Sequence, residues 1–303
     1  MHPCWRGSAW LFANERFDQH LDYLVIDEAG QVSVANVIAM GTAARNIVLV
    51  GDQMQLGQPI QGVHPGEAGL SILDFLLGDQ ATVTKDRGIF LNQTRRLHPT
   101  VCRFISDTFY EGRLIADPGH SGRHLIFESA IEGITPQGIH LLPVSHAGCS
   151  QKSEEEGRTI EEYFQKLVGQ KFVDKDGSTR VMTTRDVLVV SPYNVQVNHL
   201  KSILPAGARV GTVDKFQGQE APVVLVSMAT SDAECLPRDI DFLFSANRLN
   251  VALSRAQCLA VVVASPKLLE TPCRTISQMR LVNKFCQLAK FAAGSSPPLL
   301  PEN

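Results

Sequence analysis

Runs of consecutive apolar residues recur along the chain, separated by polar and amphipathic stretches. They are residues 23–26 (YLVI), 46–50 (NIVLV), 88–91 (GIFL), 138–144 (GIHLLPV), 186–191 (DVLVVS), 208–213 (ARVGTV), 222–229 (PVVLVSMA) and 259–265 (LAVVVAS). Because these runs are continuously apolar rather than alternating, they predict strands buried on both faces. Such strands are typical of a parallel sheet that is covered by helices.

Amphipathic segments between these runs predict the helices. The clearest segment is residues 153–170 (SEEEGRTIEEYFQKLVGQ), whose apolar positions share one face: Ile160, Phe164, Leu167 and Val168. Ser153 and Glu156 predict a capping box at the start of this helix. The acidic run is interpreted as a solvated helix face that complements the helix dipole.

The alternation of strands and helices predicts an α/β fold, with parallel sheets, flanking helices and ligands at the carboxyl ends of the strands. A polar stretch at residues 79–87 predicts a boundary between two α/β units. We therefore expect domains at residues 1–86 and 87–290. Residues 291–303 are of low complexity and are predicted to be a disordered tail.

Composition narrows the possible partners. The 303 residues suffice for about two domains, and the net charge of −3 shows no basic excess, so any nucleic acid must bind a local groove. The seven cysteines form no C-x-x-C pair and are interpreted as reduced thiols, which favours a cytoplasmic location. The longest apolar run near the start is too short for a signal peptide or a membrane span, so no membrane partner is expected.

Polar residues follow the first two predicted strands. Asp27 and Glu28 end the first strand, where an aspartate can hold Mg²⁺ and a second acid can orient or deprotonate an attacking water. Gln53 follows the second strand, and its amide can contact both a water and a terminal phosphate. Alone, the two acids are more often solvated loop residues, and the glutamine is equally compatible with a turn residue.

Arginines occur in two later segments, residues 91–99 (LNQTRRLHP) and 244–257 (FSANRLNVALSRAQ). A guanidinium suits a phosphoryl transition state because its rigid fork neutralises charge on several oxygens. An isolated Arg-Arg pair is more often a surface salt-bridge donor, and the later segment is also compatible with plain packing. His98 is interpreted as a structural residue at a helix start, and no Ser/His/acid or Cys/His arrangement indicates a nucleophile.

Six segments in order resemble motifs II to VI of superfamily 1 helicases. They are VIDEAGQ (25–31), VGDQMQLGQP (50–59), TRRLHP (94–99), SPYNVQ (191–196), GTVDKFQGQE (211–220) and NVALSRA (250–256). The resemblance is to the group that includes the nonsense-mediated-decay helicase and the replication helicase-nuclease of Okazaki processing, and within this group most of all to bacterial fusions with a RecB-type nuclease. It implies RecA-like domains, one partial and one complete, that use ATP and Mg²⁺.

The resemblance also implies residue roles. In the nucleotide site, Asp27 resembles the metal ligand, Glu28 the base and Gln53 the sensor. The other nucleotide-site roles fall on residues of the second domain: Arg96 and Arg255 as arginine fingers, Glu220 on the ribose, Gly218 for close approach, and Arg95 stacked on the base. Four residues match positions that contact a single strand of DNA or RNA: Ser8, Ser191, Tyr193 and Thr212.

The chain departs from this family in one respect, because it contains no G-x-x-x-x-G-K-[ST] phosphate loop. The resemblance therefore implies a further amino-terminal helicase or nuclease part, in the same or a separate chain. Without it we expect ATP hydrolysis near background and a hydrophobic sheet edge that another polypeptide covers. Two alternatives remain open, namely a non-catalytic nucleic-acid-binding module and a gene fragment without independent function.

Overall fold

The computed structural model describes residues 4–58, 62, 64–236 and 240–295. The chain forms two compact units, residues 1–90 and 91–303. The sequence-based domain limits of 1–86 and 87–290 stay predictions.

The first unit is built around a parallel pair of strands. Its elements are α1 (Ala9–Phe12), β1 (Leu21–Ile26), α2 (Val34–Gly41), β2 (Ala44–Leu49) and α3 (Ile72–Leu77). Leu24 and Ile26 point into a core with residues of α1 and α2. On the opposite face Tyr23 and Val25 are 66% and 62% exposed, and Val48, the register partner of Val25, is 42% exposed. One apolar face of this sheet is therefore uncovered in the unit.

The second unit contains a five-stranded parallel sheet in the order β10-β9-β11-β12-β6. Its elements are β3 (Gln93–Thr94), α4 (Pro99–Phe109), β4 (Ile115–Ala116), β5 (His124–Ile126), β6 (Gly138–Pro143), α5 (Glu154–Leu167), β7 (Lys171–Val173), β8 (Thr179–Val181), β9 (Val187–Val190), α6 (Asn194–Ile203), β10 (Arg209–Gly211), β11 (Ala221–Ser227), α7 (Ile240–Leu243), α8 (Ala246–Ser254), β12 (Ala256–Ala264) and α9 (Ile276–Ser295). Every residue of β9 and β11 is buried. The predicted α/β class is confirmed.

Two strand predictions need correction. Residues 88–91 are not a strand, and Ile89 and Leu91 are 87% and 77% exposed, because no neighbouring strand buries this short apolar run. Conversely, β5, β7 and β8 form a small antiparallel sheet that the apolar pattern did not reveal. Each of these strands has only three residues with polar members, too few for a recognisable period.

The predicted helix at residues 153–170 is α5, and its capping box is half correct. The Ser153 hydroxyl accepts a hydrogen bond from the Glu156 amide at 3.1 Å, which confirms the cap. The Glu156 side chain does not return to Ser153, because its carboxylate is fully buried and bonded to other partners. A core position therefore overrides the local capping preference.

The prediction of disorder from residue 291 onward is wrong at its start, because α9 continues to Ser295. The ring of Phe291 packs 5.3 Å from that of Phe104 and lies 5.0 Å from the Arg103 guanidinium. Ala292 is buried. Residues 296–303, the rest of the predicted tail, lie outside the described residues.

His98 is the N-cap residue of α4, as predicted. Its Nδ1 accepts a hydrogen bond from the Thr100 amide, and Pro99 occupies the first helical position. Proline suits that position because its missing N–H has no partner inside the helix. Among the described residues no helix has the length and apolar character that crossing a membrane requires.

Replacing Phe291 tests whether this last turn of α9 belongs to the core. We expect Phe291→Ala to lower the free energy of unfolding by about 1–3 kcal/mol, because it removes partly buried aromatic contacts. The exposed neighbour substitution Lys290→Ala is the control and is expected to be nearly neutral. Urea unfolding followed by circular dichroism measures both, and equal stability of the two variants would contradict the assignment.

His98 makes the stability of the second unit depend on pH. Burial lowers the pKa of His98 in the folded chain below the ordinary value of a histidine side chain. As the pH falls, the unfolded chain therefore takes up the proton first, and stability is lost from about pH 6.5 down through the lower folded-state pKa. Asparagine can cap the helix but does not titrate, so His98→Asn is expected to match the native chain at pH 8. The variant should lose less stability than the native chain when the pH falls from 8 to 5. Urea unfolding of both chains at both pH values measures this, and an equal loss of stability in the two chains would refute the prediction.

Candidate nucleotide and nucleic-acid sites

The ends of β1 and β2 in the first unit lie side by side. The Val50 amide donates to the Ile26 carbonyl at 2.8 Å, and the Ala29 amide donates to the Val50 carbonyl at 2.9 Å. Glycines permit this approach: a Cβ on Gly30 would lie 2.8 Å from the Asp52 carbonyl oxygen. Backbone pairing therefore continues past the strands and joins the two polar loops at one edge of the sheet.

Asp27 and Glu28 are both exposed at this edge. The Glu28 amide donates to Asp27 Oδ1 at 2.9 Å, and Glu28 adopts a left-handed conformation with φ of 52°. Such a conformation costs a non-glycine residue roughly 1–2 kcal/mol, and residues of this kind cluster at functional sites. Exposed carboxylate oxygens are ligands that suit Mg²⁺, which is often held by one or two carboxylates together with water and phosphate. These two residues therefore fit a magnesium nucleotide.

Gln53 follows β2 in the loop beside these acids. Its Nε2 donates to the backbone carbonyls of Gln80 and Ala81, at 3.1 and 2.6 Å. The neighbouring Asp52 accepts hydrogen bonds from the Met54 amide and from the Gln55 side chain. The structure thus places Gln53 near the predicted acids and ties its amide nitrogen to the segment that follows α3.

In the second unit the structure pairs two predicted nucleotide ligands with each other. Arg96 Nε lies 2.5 Å from Glu220 Oε2, and the Gln257 amide donates to Glu220 Oε1 at 2.7 Å. The Arg96 and Glu220 side chains are 34% and 40% exposed, so both remain accessible to solvent. Arg95, the predicted base-stacking residue, is exposed.

Sequence reasoning missed a residue that supports Arg96. The buried Arg123 donates from Nη1 to the Arg96 carbonyl at 2.6 Å and from Nε to Asp174 Oδ1 at 2.8 Å. Partial burial acts to raise the pKa of Asp174, but hydrogen bonds from the Lys175 amide and Arg123 hold that pKa below its usual value. No local motif marks Arg123, because its partners lie 27 and 51 residues away.

Arg255 lies at the end of α8 with only 2% of its surface exposed. Its guanidinium donates to the carbonyls of Val251 and Gln219, at 3.2 and 3.4 Å. Gln219 follows Gly218, whose φ of 74° is a left-handed turn that favours glycine. The structure therefore brings Arg255 and Gly218 to the segment that also contains Glu220.

The predicted strand-binding residues differ in exposure. Ser8 is exposed at the start of α1, whereas Ser191 is fully buried, Tyr193 is 4% exposed and Thr212 is half-buried. The Ser191 amide donates to the Gly211 carbonyl at 3.2 Å, which brings Ser191 close to the segment of Thr212. Ser191, Tyr193 and Thr212 therefore lie at the carboxyl ends of β9 and β10.

The Phe242 ring packs against Tyr193, and Arg248 in turn lies over Phe242. The Phe242 ring lies 5.6 Å from the Tyr193 ring at an interplanar angle of 33°, and the Arg248 guanidinium lies 4.3 Å from the centre of the Phe242 ring. These contacts explain why Tyr193 is buried although sequence reasoning expected it at a binding surface.

A Ser/His/acid arrangement is present that the sequence did not reveal. His146 Nδ1 lies 2.7 Å from Ser231 Oγ, and His146 Nε2 lies 3.0 Å from Glu156 Oε1. All three side chains are buried, and Ser231 Oγ also accepts a hydrogen bond from the Cys149 amide at 2.9 Å. The hydroxyl is therefore not presented to a substrate, and this arrangement has a structural role.

Comparisons with known proteins bear on these sites. A family model described as an AAA domain matches residues 71–267. The chain is 26% identical over 249 residues to DNA polymerase alpha-associated DNA helicase A of Schizosaccharomyces pombe, covering 78% of this chain and 36% of that protein. It is 27% identical to the putative helicase mov-10-B.1 of Danio rerio, covering 83% and 28%. It is 27% identical to DNA-binding protein SMUBP-2 of Mesocricetus auratus, covering 82% and 25%.

A solved structure, the arterivirus nonstructural protein 10 helicase in complex with DNA, aligns at 16% identity and a TM-score of 0.40, covering 80% of this chain and 39% of that one. The chain spans between 25% and 36% of the length of the three curated relatives named above. Since the family model matches more than half of the chain, the protein belongs to the AAA domain family, and it contains a domain of the superfamily 1 helicase type.

Proposed function

We propose that this chain is the ATPase and translocation portion of an ATP-dependent superfamily 1 helicase that moves along single-stranded DNA or RNA. The observation that carries the proposal is the joining of the Asp27–Glu28 loop to the Gly51–Gln53 loop by backbone pairing at one sheet edge. Curated relatives that are named helicases support it.

In this proposal the residues of the first unit bind the magnesium ion and activate the attacking water. Asp27 holds Mg²⁺, which when bound supplies charge neutralisation on the phosphates. Glu28 accepts a proton from the attacking water, and Gln53 orients that water. The exposure of both carboxylates supports these roles, because the ligand needs access to them.

Residues of the second unit supply positive charge and hold the nucleoside in the proposal. Arg96 and Arg255 stabilise negative charge that develops on the transferred phosphoryl group. Glu220 accepts a hydrogen bond from the ribose, with Gly218 beside it, and Arg95 stacks on the base. The Arg96–Glu220 ion pair must separate before either side chain can contact the nucleotide. The free-energy cost of this separation is small because the pair is partly exposed, and exposed ion pairs contribute only about 0–1 kcal/mol.

Nucleic acid contacts are proposed for Ser8 and Thr212, which are exposed and half-buried, and for Ser191 and Tyr193, whose buried side chains reach a strand only after the segment that covers them moves away. Hydroxyl groups that bond phosphate oxygens hold a strand without reading its sequence, which fits movement along any single strand. DNA and RNA are both compatible with this chemistry.

A further part of the helicase, in the same or a separate chain, is proposed to precede these units and to carry the phosphate loop. The uncovered face of β1 and β2 supports this, because strands of parallel sheets are normally buried on both faces and Tyr23, Val25 and Val48 are exposed. The resemblance to RecB-type nuclease fusions suggests a nuclease as one component of that part.

Hydrolysis of ATP by the 303-residue chain alone is expected to be at background, because no phosphate-loop amides and lysine anchor the nucleotide. Phosphate release with Mg²⁺ and an oligo-dT strand measures this. ATP hydrolysis by the purified chain that nucleic acid stimulates would contradict this part of the proposal.

Glu28→Gln tests the proposed base once the chain is joined to a phosphate-loop part encoded directly upstream. We expect kcat to fall by about 10²–10⁴-fold, the usual contribution of general base catalysis. Glu15→Gln, at another exposed acid of the first unit, is the matched control and should retain activity. If upstream DNA encodes no such loop in any frame, the non-catalytic binding module becomes the better hypothesis.

A further inference from the structure

The start of α6 is held by a buried side chain rather than by its own cap. The N-cap residue Tyr193 makes no side-chain capping bond, although most helix starts use one. Gln196, three residues later, is fully buried. Its Oε1 accepts from the Ser153 amide, and its Nε2 donates to the Ser153 carbonyl, both at 3.0 Å. The Gln196 side chain thus bonds both backbone polar groups of Ser153, which is the N-cap residue of α5.

The same amide group connects α6 to the end of β11. Gln196 Nε2 donates to Ser227 Oγ at 3.0 Å, and the Ser227 hydroxyl donates to Glu156 Oε2 at 2.6 Å. Glu156 Oε2 also accepts from the Ala229 amide at 2.8 Å. Ala229 has a φ of 62°, a conformation that alanine rarely adopts and that these bonds help to stabilise. The segment leaving β11 is therefore tied to α6 through two side chains.

His146 joins this network through both ring nitrogens. Its Nδ1 lies 2.7 Å from Ser231 Oγ, which accepts a hydrogen bond from the Cys149 amide, and its Nε2 lies 3.0 Å from Glu156 Oε1. Donors from two directions converge on one buried carboxylate. Partly satisfied networks of this type are costly, so the loss of one member disturbs the others.

We propose that Gln196 is a positioning residue for the Ser191–Tyr193 turn, which it holds against the end of β11 through Ser227 and Glu156. The inference rests on the proposed function, because that function makes this turn part of the strand-binding surface. Gln196 touches no strand in this proposal and acts through Ser191 and Tyr193. The hydrogen bond from the Ser191 amide to the Gly211 carbonyl also places these two residues next to the Thr212 segment.

Gln196→Met in the full 303-residue chain removes the hydrogen bonds of the Gln196 side chain to Ser153 and Ser227 while keeping the length of the side chain. The milder Ser227→Ala removes the two bonds of the Ser227 hydroxyl, from Gln196 Nε2 and to Glu156 Oε2, but leaves the bonds between Gln196 and Ser153 in place. It serves as a second variant if Gln196→Met does not fold. Gln165→Met, at an exposed position of α5, is the matched control. Thermal unfolding identifies which variants are folded.

Hydrogen exchange of the Ser191 and Val197 amides, measured by mass spectrometry of the covering peptides, is the first readout. We expect at least tenfold faster exchange in residues 191–197 for the two network variants, with the other strands of the sheet and the control unchanged. Unchanged exchange at this turn in a folded network variant overturns the proposal, whether or not the chain binds nucleic acid.

Affinity for fluorescein-labelled oligo-dT and oligo-U, measured by anisotropy, is the second readout. We expect at least tenfold weaker binding for Gln196→Met and native binding for the control. Native affinity in a variant whose turn exchanges faster overturns the role in strand binding. If the unaltered chain binds neither strand, the proposed function fails, while the exchange result still decides whether Gln196 holds the turn.

Discussion

Parallel pairing of buried strands is the constraint on which the rest of this structure depends. In a parallel sheet every strand delivers its carboxyl end to the same edge, so loops far apart in the chain become neighbours. The pairing of β1 with β2 joins the Asp27 and Gln53 loops, and the pairing of β9 with β10 joins the Ser191 and Thr212 segments. Each candidate site is thus a consequence of strand order.

Charge in the second unit is compensated in two different ways. The Arg96–Glu220 pair is partly exposed, so water screens it and another anion can replace either partner at little cost. Arg255 is buried against backbone carbonyls, where removing its partners would leave an expensive uncompensated charge. The first arginine is therefore suited to exchange its partner directly, whereas the second holds the loop around Gly218 in this structure and must be uncovered before it can reach a phosphoryl group.

The buried polar groups around Glu156 join four segments that sheet packing alone would leave independent. They are the loop around His146, the start of α5, the start of α6 and the exit of β11. Apolar contacts tolerate sliding, whereas hydrogen bonds to one carboxylate have fixed directions. This network therefore specifies the orientation of the Ser191–Tyr193 turn relative to β11.

Local patterns in the sequence determined the strands of the β1–β2 pair and of the five-stranded sheet, the start of α5 at Ser153, the start of α4 at His98 and the order of the motif loops. These features depend on neighbouring residues, whose periodicity and capping chemistry are visible in the chain. Residues 88–91 show the limit, because an apolar run becomes a strand only where a partner buries it.

Tertiary structure alone decided which distant side chains meet. Arg96 and Glu220 are 124 residues apart, and His146 and Ser231 are 85 apart. Glu156 left its expected cap for a buried site, and Phe291 extended α9 by packing on Phe104. Such contacts depend on strand order and on the free energy of burying particular groups together, and neither quantity is encoded in a local pattern of residues.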